Sequence, residues 1–548
     1  MRTTRLSVSM WMGNLANRTL AKQPGHQPPQ SALKVRHGQA LPPPRILRAR
    51  NNEVSSMSQM SQNPAPSADD FTPGRPVVFR NATVLTMDPS LGMITGGDVL
   101  VVDKRIAAVG KQLAVPDGTV EIDATGGILM PGMVDTHRHM WQTALRGFGA
   151  DWTLTNYFVF YYLSFGKIFR PEDIYAGNLL SAIEAIDAGV TTTVDWSHGL
   201  QTTQHADAAA DALESVPGRF VLAYGNIQQG AWEWTRTPEF ADFIKRRIDG
   251  KGDMLRMQIA FDVTGDPAFP ERGAFEAARD FNLPVTTHAG VWGATNDVGI
   301  QQMSDNGFLT PSTICVHAST LSEDSYQRIA ASGAYTSVSA ESEDSCGQGY
   351  PTTWELRRFN IPVSLSMDTS VWWSADLFSA MRATLDADRA RTHLEAHKTN
   401  ETITHNFLRA EHVVNWATMG GAAALGMSDL IGSVTPGKKA DLVLIKNDDS
   451  PAMFPIIHPY GHVVFQAGRG DVHTVMVDGN VVKFDHRLRG VNLARAKQAV
   501  AATVEYAYSQ IGEKAWNETM YPEKPEVVVI ENPYTYSRKV DAPTGEQH

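Results

Sequence analysis

Two histidines one residue apart, His137 and His139, end the apolar run Ile128-Leu-Met-Pro-Gly-Met-Val-Asp-Thr-His-Arg-His139. In a strand, side chains at i and i+2 point to the same face. Two imidazoles aimed together are what a metal ion asks of a protein. A pair of surface histidines is the alternative reading of this motif alone. Three further residues follow short apolar runs in the same way: His288 after Pro284–Thr287, His317 after Thr313–Val316, and Asp368 after Pro362–Ser366. Four imidazoles and a carboxylate in corresponding positions make a shared site the better reading.

The elements that would position them can be read from periodicity. Eight apolar runs read as strands: Ile128–Val134, Thr191–Asp195, Phe220–Tyr224, Leu255–Phe261, Pro284–Thr287, Thr313–Val316, Ala334–Ser339 and Pro362–Ser366. Helical patterns separate several of them, for instance Tyr175–Ala188, Gly273–Phe281 and Ser322–Ala331. Strands alternating with helices over about 300 residues predict an α/β fold, a (β/α)8 barrel whose C-terminal mouth carries the chemistry. On this pattern the barrel covers residues 128–430. Shorter alternating runs before it (76–127) and after it (431–490) predict a small β-sandwich built from both ends of the chain, with a C-terminal helix and tail over 491–548. Residues 1–75, rich in Pro, Gln, Ser and Arg and without a sustained period, are expected to be disordered or an over-extended start. A chain beginning near Asp70 should then keep its fold.

Composition narrows the function. Net charge is −11 overall, but residues 1–75 carry +7, which leaves −18 on the rest. A body that acidic argues against nucleic acid as a partner. No apolar run approaches the roughly 20 residues that span a bilayer, so no membrane association is expected. Two cysteines, Cys315 and Cys346, make a disulfide framework improbable and permit a cytoplasmic location.

The chain resembles the amidohydrolase superfamily, in particular its cytosine-deaminase and chlorohydrolase branch. The resemblance rests on Pro131-Gly-Met-Val-Asp-Thr-His-Arg-His139, Gly189-Val-Thr-Thr-Thr193, Val285-Thr-Thr-His288, Cys315-Val-His317, Met367-Asp368 and Gly432-Ser-Val-Thr-Pro-Gly-Lys-Lys-Ala-Asp-Leu-Val443. It implies a distorted barrel with a β-sandwich. It implies His137, His139, His288 and Asp368 as ligands of one divalent metal, Zn²⁺ or else Fe²⁺, with His317 polarising the substrate or holding water and Asp368 also moving the proton of an activated water. Two-metal relatives carry a carbamylated lysine after strand four, and Leu255–Phe261 has none. Deaminases of the branch read His-x-x-Glu after strand five, whereas this chain reads His288-Ala-Gly-Val291. The missing acid is expected from Glu341 or Glu343, an i, i+2 pair following strand seven in Ser339-Ala-Glu-Ser-Glu-Asp344. His198, Trp141 and Trp372 are candidate substrate contacts. The expected activity is hydrolysis of a C–N bond (amide, urea, amidine or N-heterocycle) in a small apolar or aromatic substrate by a homo-oligomer. The alternatives are ring deamination or dehalogenation, or a binding protein on the same scaffold.

Overall fold

The computed structural model describes residues 66–291 and 294–522. The expected N-terminal extension, up to residue 65, lies outside the described residues, as does the tail beyond 522. In chain order the strands are β1 (Val77–Leu85), β2 (Met93–Val102), β3 (Arg105–Gly110), β4 (Val120–Asp123), β5 (Ile128–Pro131), β6 (Met133–Arg138), β7 (Val190–Ser197), β8 (Arg219–Tyr224), β9 (Leu255–Ala260), β10 (Val285–Ala289), β11 (Thr313–His317), β12 (Tyr335–Val338), β13 (Val363–Leu365), β14 (Leu442–Ile445), β15 (Val472–Val477), β16 (Asn480–Phe484) and β17 (Arg487–Leu488).

β6 to β13 lie side by side in sequence order, each parallel to the next. Parallel strands covered by helices are buried on both faces, which is why β7 and β8 are buried along their whole length. The barrel closes between β13 and β6. There the Asp368 N–H donates to the His137 carbonyl at 3.1 Å, and the His139 N–H donates to the Asp368 carbonyl at 2.8 Å. A buried ladder of hydroxyls runs below that seam: Thr136 Oγ1 lies 2.8 Å from both Ser337 Oγ and Ser364 Oγ, and Ser366 Oγ lies 2.7 Å from Ser337 Oγ and Ser339 Oγ.

The first apolar run divides instead of forming one barrel strand. β5 pairs with β1 and β14 in a second sheet, and only β6 belongs to the barrel. The break falls at Gly132, where a Cβ would come within 2.1 Å of Thr191 Oγ1, so only glycine lets the chain cross between sheets at that point. The second sheet runs β17-β16-β15-β14-β5-β1-β2-β3, with β4 pairing on β1, and so draws strands from both flanks of the barrel.

The N-terminal flank differs from the sequence expectation. Packing begins before residue 76: Phe71 is buried, its ring 4.7 Å from that of Phe484 and beneath the Arg489 guanidinium. The helix Leu493–Met520, interrupted at Gly512, is tied to the barrel, because Thr503 Oγ1 donates to Asp173 Oδ1 at 2.8 Å and Trp152 Nε1 donates to the Thr519 carbonyl at 2.7 Å. The second bond anchors the aromatic segment that follows β6.

Candidate active site

Alternation along β6 sends His137 and His139 into the barrel and Arg138 outward, where its Nη2 donates to Glu184 Oε2 at 2.8 Å and its Nε to Ser181 Oγ at 2.8 Å. His288 and His317 end β10 and β11, and Asp368 sits at the closing seam. All five come together. Ring centroids of His137 lie 4.6 Å from His139, 5.0 Å from His288 and 5.6 Å from His317. Asp368 Oδ1 is 3.4 Å from Nε2 of both His137 and His139. Among the described residues, ligand atoms of His137, His139 and Asp368, and those of His137, His288 and His317, lie within 4.8 Å of one another.

The ring nitrogens facing away from this centre are mostly held. Nδ1 of His139 donates to the Trp196 carbonyl at 2.9 Å, Nδ1 of His288 lies 2.7 Å from Asp262 Oδ1, and Nδ1 of His317 lies 3.1 Å from Glu343 Oε1. Such outer partners fix each ring and leave Nε2 for the centre. His137 is the exception: it is fully buried and neither ring nitrogen has a hydrogen-bond partner. An orphaned buried imidazole costs about 1–3 kcal/mol, and a metal ion held by His137 would offset the share of it carried by the ligating nitrogen. Neutral imidazoles with one carboxylate are a donor set that suits a divalent transition metal, so the residues fit the ion the resemblance implies.

Electrostatics agree with that fit. Burial lowers His139 to about 4 and His317 to about 3 and holds His137 well below its ordinary value, so all three are neutral ligands or acceptors at pH 7. Burial also opposes the charged form of Asp368, but the His137 imidazole 3.4 Å away and the nearby His139 and His317 outweigh it, and the carboxyl stays ionised well below the usual range. His317 and Asp368 both have positive φ, 69° and 65°. Strain of that kind, of order 1–3 kcal/mol per residue, is concentrated at functional sites.

The two glutamates part company. They lie in a short helix, Ala340–Ser345, rather than an extended loop, and residues two apart in a helix point to nearly opposite sides. Glu343 turns inward under His317, takes the Ser339 N–H on Oε1 at 2.8 Å and is pushed by burial up to about 8. Glu341 turns to the loop after β13, accepting from Ser374 Oγ at 2.8 Å. It does not line the cavity.

That cavity, of about 30 Å³, is walled by Leu154, Tyr157, Phe158, Val291, Gln348 and Trp372 around the histidines. Trp372 is thus in the wall. Trp141 is not: it is wholly buried, and its Nε1 donates to His198 Nδ1 at 3.2 Å. The reason is that the chain leaves β6 in a tight turn, Met140–Leu145, that packs against the helix Pro171–Asp187, where Gly177 leaves room for the Trp141 backbone. His198 sits 4.4 Å from His139, ring to ring, and lines an adjoining chamber. Sequence reasoning missed Asp262, Trp196 and Gln348. Asp262 stands just past β9, the position the barrel rule marks for chemistry, and was read only as the absence of a lysine. Trp196 packs against His288, the ring centroids 4.3 Å apart and the planes tilted by 34°.

An eight-stranded barrel with this cluster at its C-terminal mouth defines a metal-dependent hydrolase. The amidohydrolase family profile matches residues 128–482, and the chain belongs to that family as a hydrolase acting on carbon–nitrogen bonds. It is 27% identical over 421 residues, 75% of this chain and 94% of the relative, to the 5'-deoxyadenosine deaminase of Methanosarcina mazei. It is 28% identical over 441 residues, 77% of this chain and 97% of the relative, to the 5-methylthioadenosine/S-adenosylhomocysteine deaminase of Desulfitobacterium hafniense. Among solved structures, a zinc-bound adenosine deaminase from Xanthomonas campestris matches with a TM-score of 0.66 at 20% identity, covering 79% of this chain and 98% of that one. A mutant atrazine chlorohydrolase of Arthrobacter aurescens TC1 complexed with zinc and atraton matches with a TM-score of 0.68 at 19% identity, covering 78% and 100%.

Proposed function

We propose that the protein is a mononuclear zinc hydrolase that removes an exocyclic amino group from a small nitrogen heterocycle. The observation that carries this reading is the convergence of His137, His139, His288 and Asp368 with a fourth imidazole, His317, backed by the buried acid Glu343. The names of the curated relatives, deaminases of adenosine-type compounds, support the substrate class. The aromatic wall of Tyr157, Phe158 and Trp372 suits a flat ring.

In this reading His137, His139, His288 and Asp368 hold the ion. When bound, it supplies Lewis acidity that brings the pKa of a water toward ~7. Asp368, ionised beside the two β6 histidines, takes the proton of the attacking water. The leaving nitrogen must receive a proton before the C–N bond breaks and ammonia departs. Val291 lines the cavity where the branch places glutamate and cannot give one. We infer that Glu343 supplies it through His317: the neutral acid gives its proton to Nδ1 as Nε2 passes its own proton to the leaving nitrogen, which leaves Glu343 as the carboxylate and His317 as the Nδ1–H tautomer. Trp141 holds His198 at the edge of the site, and Trp372 forms part of the face against which the ring rests.

Exposed Phe454 and Ile457 support a homo-oligomer, and the acidic body supports action on a free small molecule without nucleic acid. No helix among the described residues is long and apolar enough to cross a membrane. The test is ammonia release by zinc-loaded protein from a panel of aminopurines, aminopyrimidines and aminotriazines, with amides and ureas beside them. Release from the heterocycles alone supports the proposal, and turnover confined to open-chain amides or ureas refutes it.

A further inference from the structure

Beside the metal mouth lies a second chamber of about 320 Å³, which shares Phe158 and Asp262 with the first cavity. Its wall includes Trp196, Trp232, Asn226 and Glu271. Glu271 is 2% exposed. One of its oxygens, Oε1, accepts the Thr264 N–H at 2.9 Å; the other, Oε2, is buried with no hydrogen-bond partner, and no cationic side chain among the described residues pairs with it. The carboxylate precedes the helix Arg272–Asp280, whose N-terminus favours a negative charge but gives this side chain no capping bond. A buried carboxylate oxygen left unmatched is costly unless a cation arrives. None of the described residues lining either cavity is Lys or Arg, whereas Asp262 and Glu271 both face the chamber's space and Trp196, Trp232 and Phe158 offer aromatic surface. Carboxylates set among indole and phenyl faces are what recognise an organic cation.

We propose that this chamber receives an ammonium or amidinium group carried by the substrate, with Glu271 as its counter-charge and Trp232, half-exposed at the rim, as its aromatic contact. The proposal rests on the reading of the metal mouth as the substrate site: it makes the substrate a heterocycle with a cationic arm, the ring at the histidines and the arm beside Glu271. Neutral rings without the arm would then bind weakly, and carboxylated ones would be excluded.

Binding of benzylammonium and of its neutral counterpart benzyl alcohol to the zinc-loaded full chain, measured by titration calorimetry at pH 7, tests this. The wild type should prefer the ammonium by at least about tenfold. Glu271→Gln keeps an oxygen for the Thr264 N–H and should reduce the preference to less than about threefold, leaving benzyl alcohol affinity, metal content and Tm unchanged. Trp232→Ala, at an exposed position, should weaken the ammonium by about three- to tenfold and the alcohol by less, and serves if the first variant folds poorly. Equal binding of the two probes by the wild type, or an undiminished preference in Glu271→Gln, would overturn the proposal. Binding and turnover separate the two readings: preference for the ammonium without hydrolysis of any heterocycle sinks the hydrolase reading alone, and hydrolysis of heterocycles without the preference sinks the chamber alone.

Discussion

Replacing Glu343 by glutamine asks one question of the site, because the substitution keeps shape and removes a proton. The glutamine oxygen can still accept from the Ser339 N–H, which Glu343 Oε1 takes at 2.8 Å, and His317 remains packed against it at 3.1 Å. What is lost is an acid that burial raises to about 8 and that is therefore protonated at neutral pH. General acid assistance of this kind is worth about 10²–10⁴-fold. With Val291 unable to substitute, Glu343→Gln should lower kcat by at least about 10² while KM stays within about threefold and one zinc per chain is retained, the pattern of an interaction made only in the transition state. The pH profile carries a second signature. Wild-type kcat should fall as pH rises past about 8, where Glu343 loses the proton it must give, and that limb should be missing in the variant. Steady-state ammonia release, with metal analysis on the same sample, measures both. Turnover within about threefold of wild type at pH 7 would refute the relay and leave Asp368 as the only proton carrier. Glu341→Gln is the control: its carboxylate meets Ser374 outside the cavity, and kcat should change less than about threefold.

The remaining predictions are briefer. His137→Ala or His139→Ala should lose metal and activity together with circular dichroism unchanged, since the apolar cluster that packs strands against helices contains none of these ligands; full zinc occupancy in either would dismiss the ligand assignment. Stability should respond to Glu343 with a defined sign. Its folded pKa, about 8, lies above the ordinary 4.5, so its favourable contribution is complete below 4.5 and fades as pH rises to 8, by at most on the order of 5 kcal/mol at about 1.4 kcal/mol per pH unit. Glu343→Gln should therefore gain Tm relative to wild type between pH 5 and pH 9, and a constant difference across that range would contradict the buried neutral acid. A chain beginning at Pro76 should be less stable to urea than one beginning at Ser67 by about 1–3 kcal/mol, the value of burying the Phe71 ring against Phe484; equal midpoints would show that the contact contributes nothing.

Much of the site was legible because it depends on directions within single elements. A period of two along Thr136-His-Arg-His139 is enough to say that the imidazoles share a face, and the strand ends at His288, His317 and Asp368 follow from the same arithmetic. The family motifs then turned five aligned residues into a metal site. The period failed where the local conformation was not the one assumed. Glu341 and Glu343 share a face in a strand but not in the helix they form, and Ile128–Pro131 carries the same apolar signal as a barrel strand while pairing with β1 and β14. Trp141 looked like a wall residue because it follows the histidines, and only the packing of the helix Pro171–Asp187 shows that it lies beneath the site. Asp262 and Glu271 carry no pattern of their own: each matters through what lies beside it, His288 in one case and the aromatic chamber in the other. The sequence by itself thus determined the kinds of chemical group and the face of each strand that bears them. Tertiary structure decided which groups meet, because contacts such as the Asp368 backbone held between His137 and His139 join segments more than 200 positions apart and exist only once the barrel has closed.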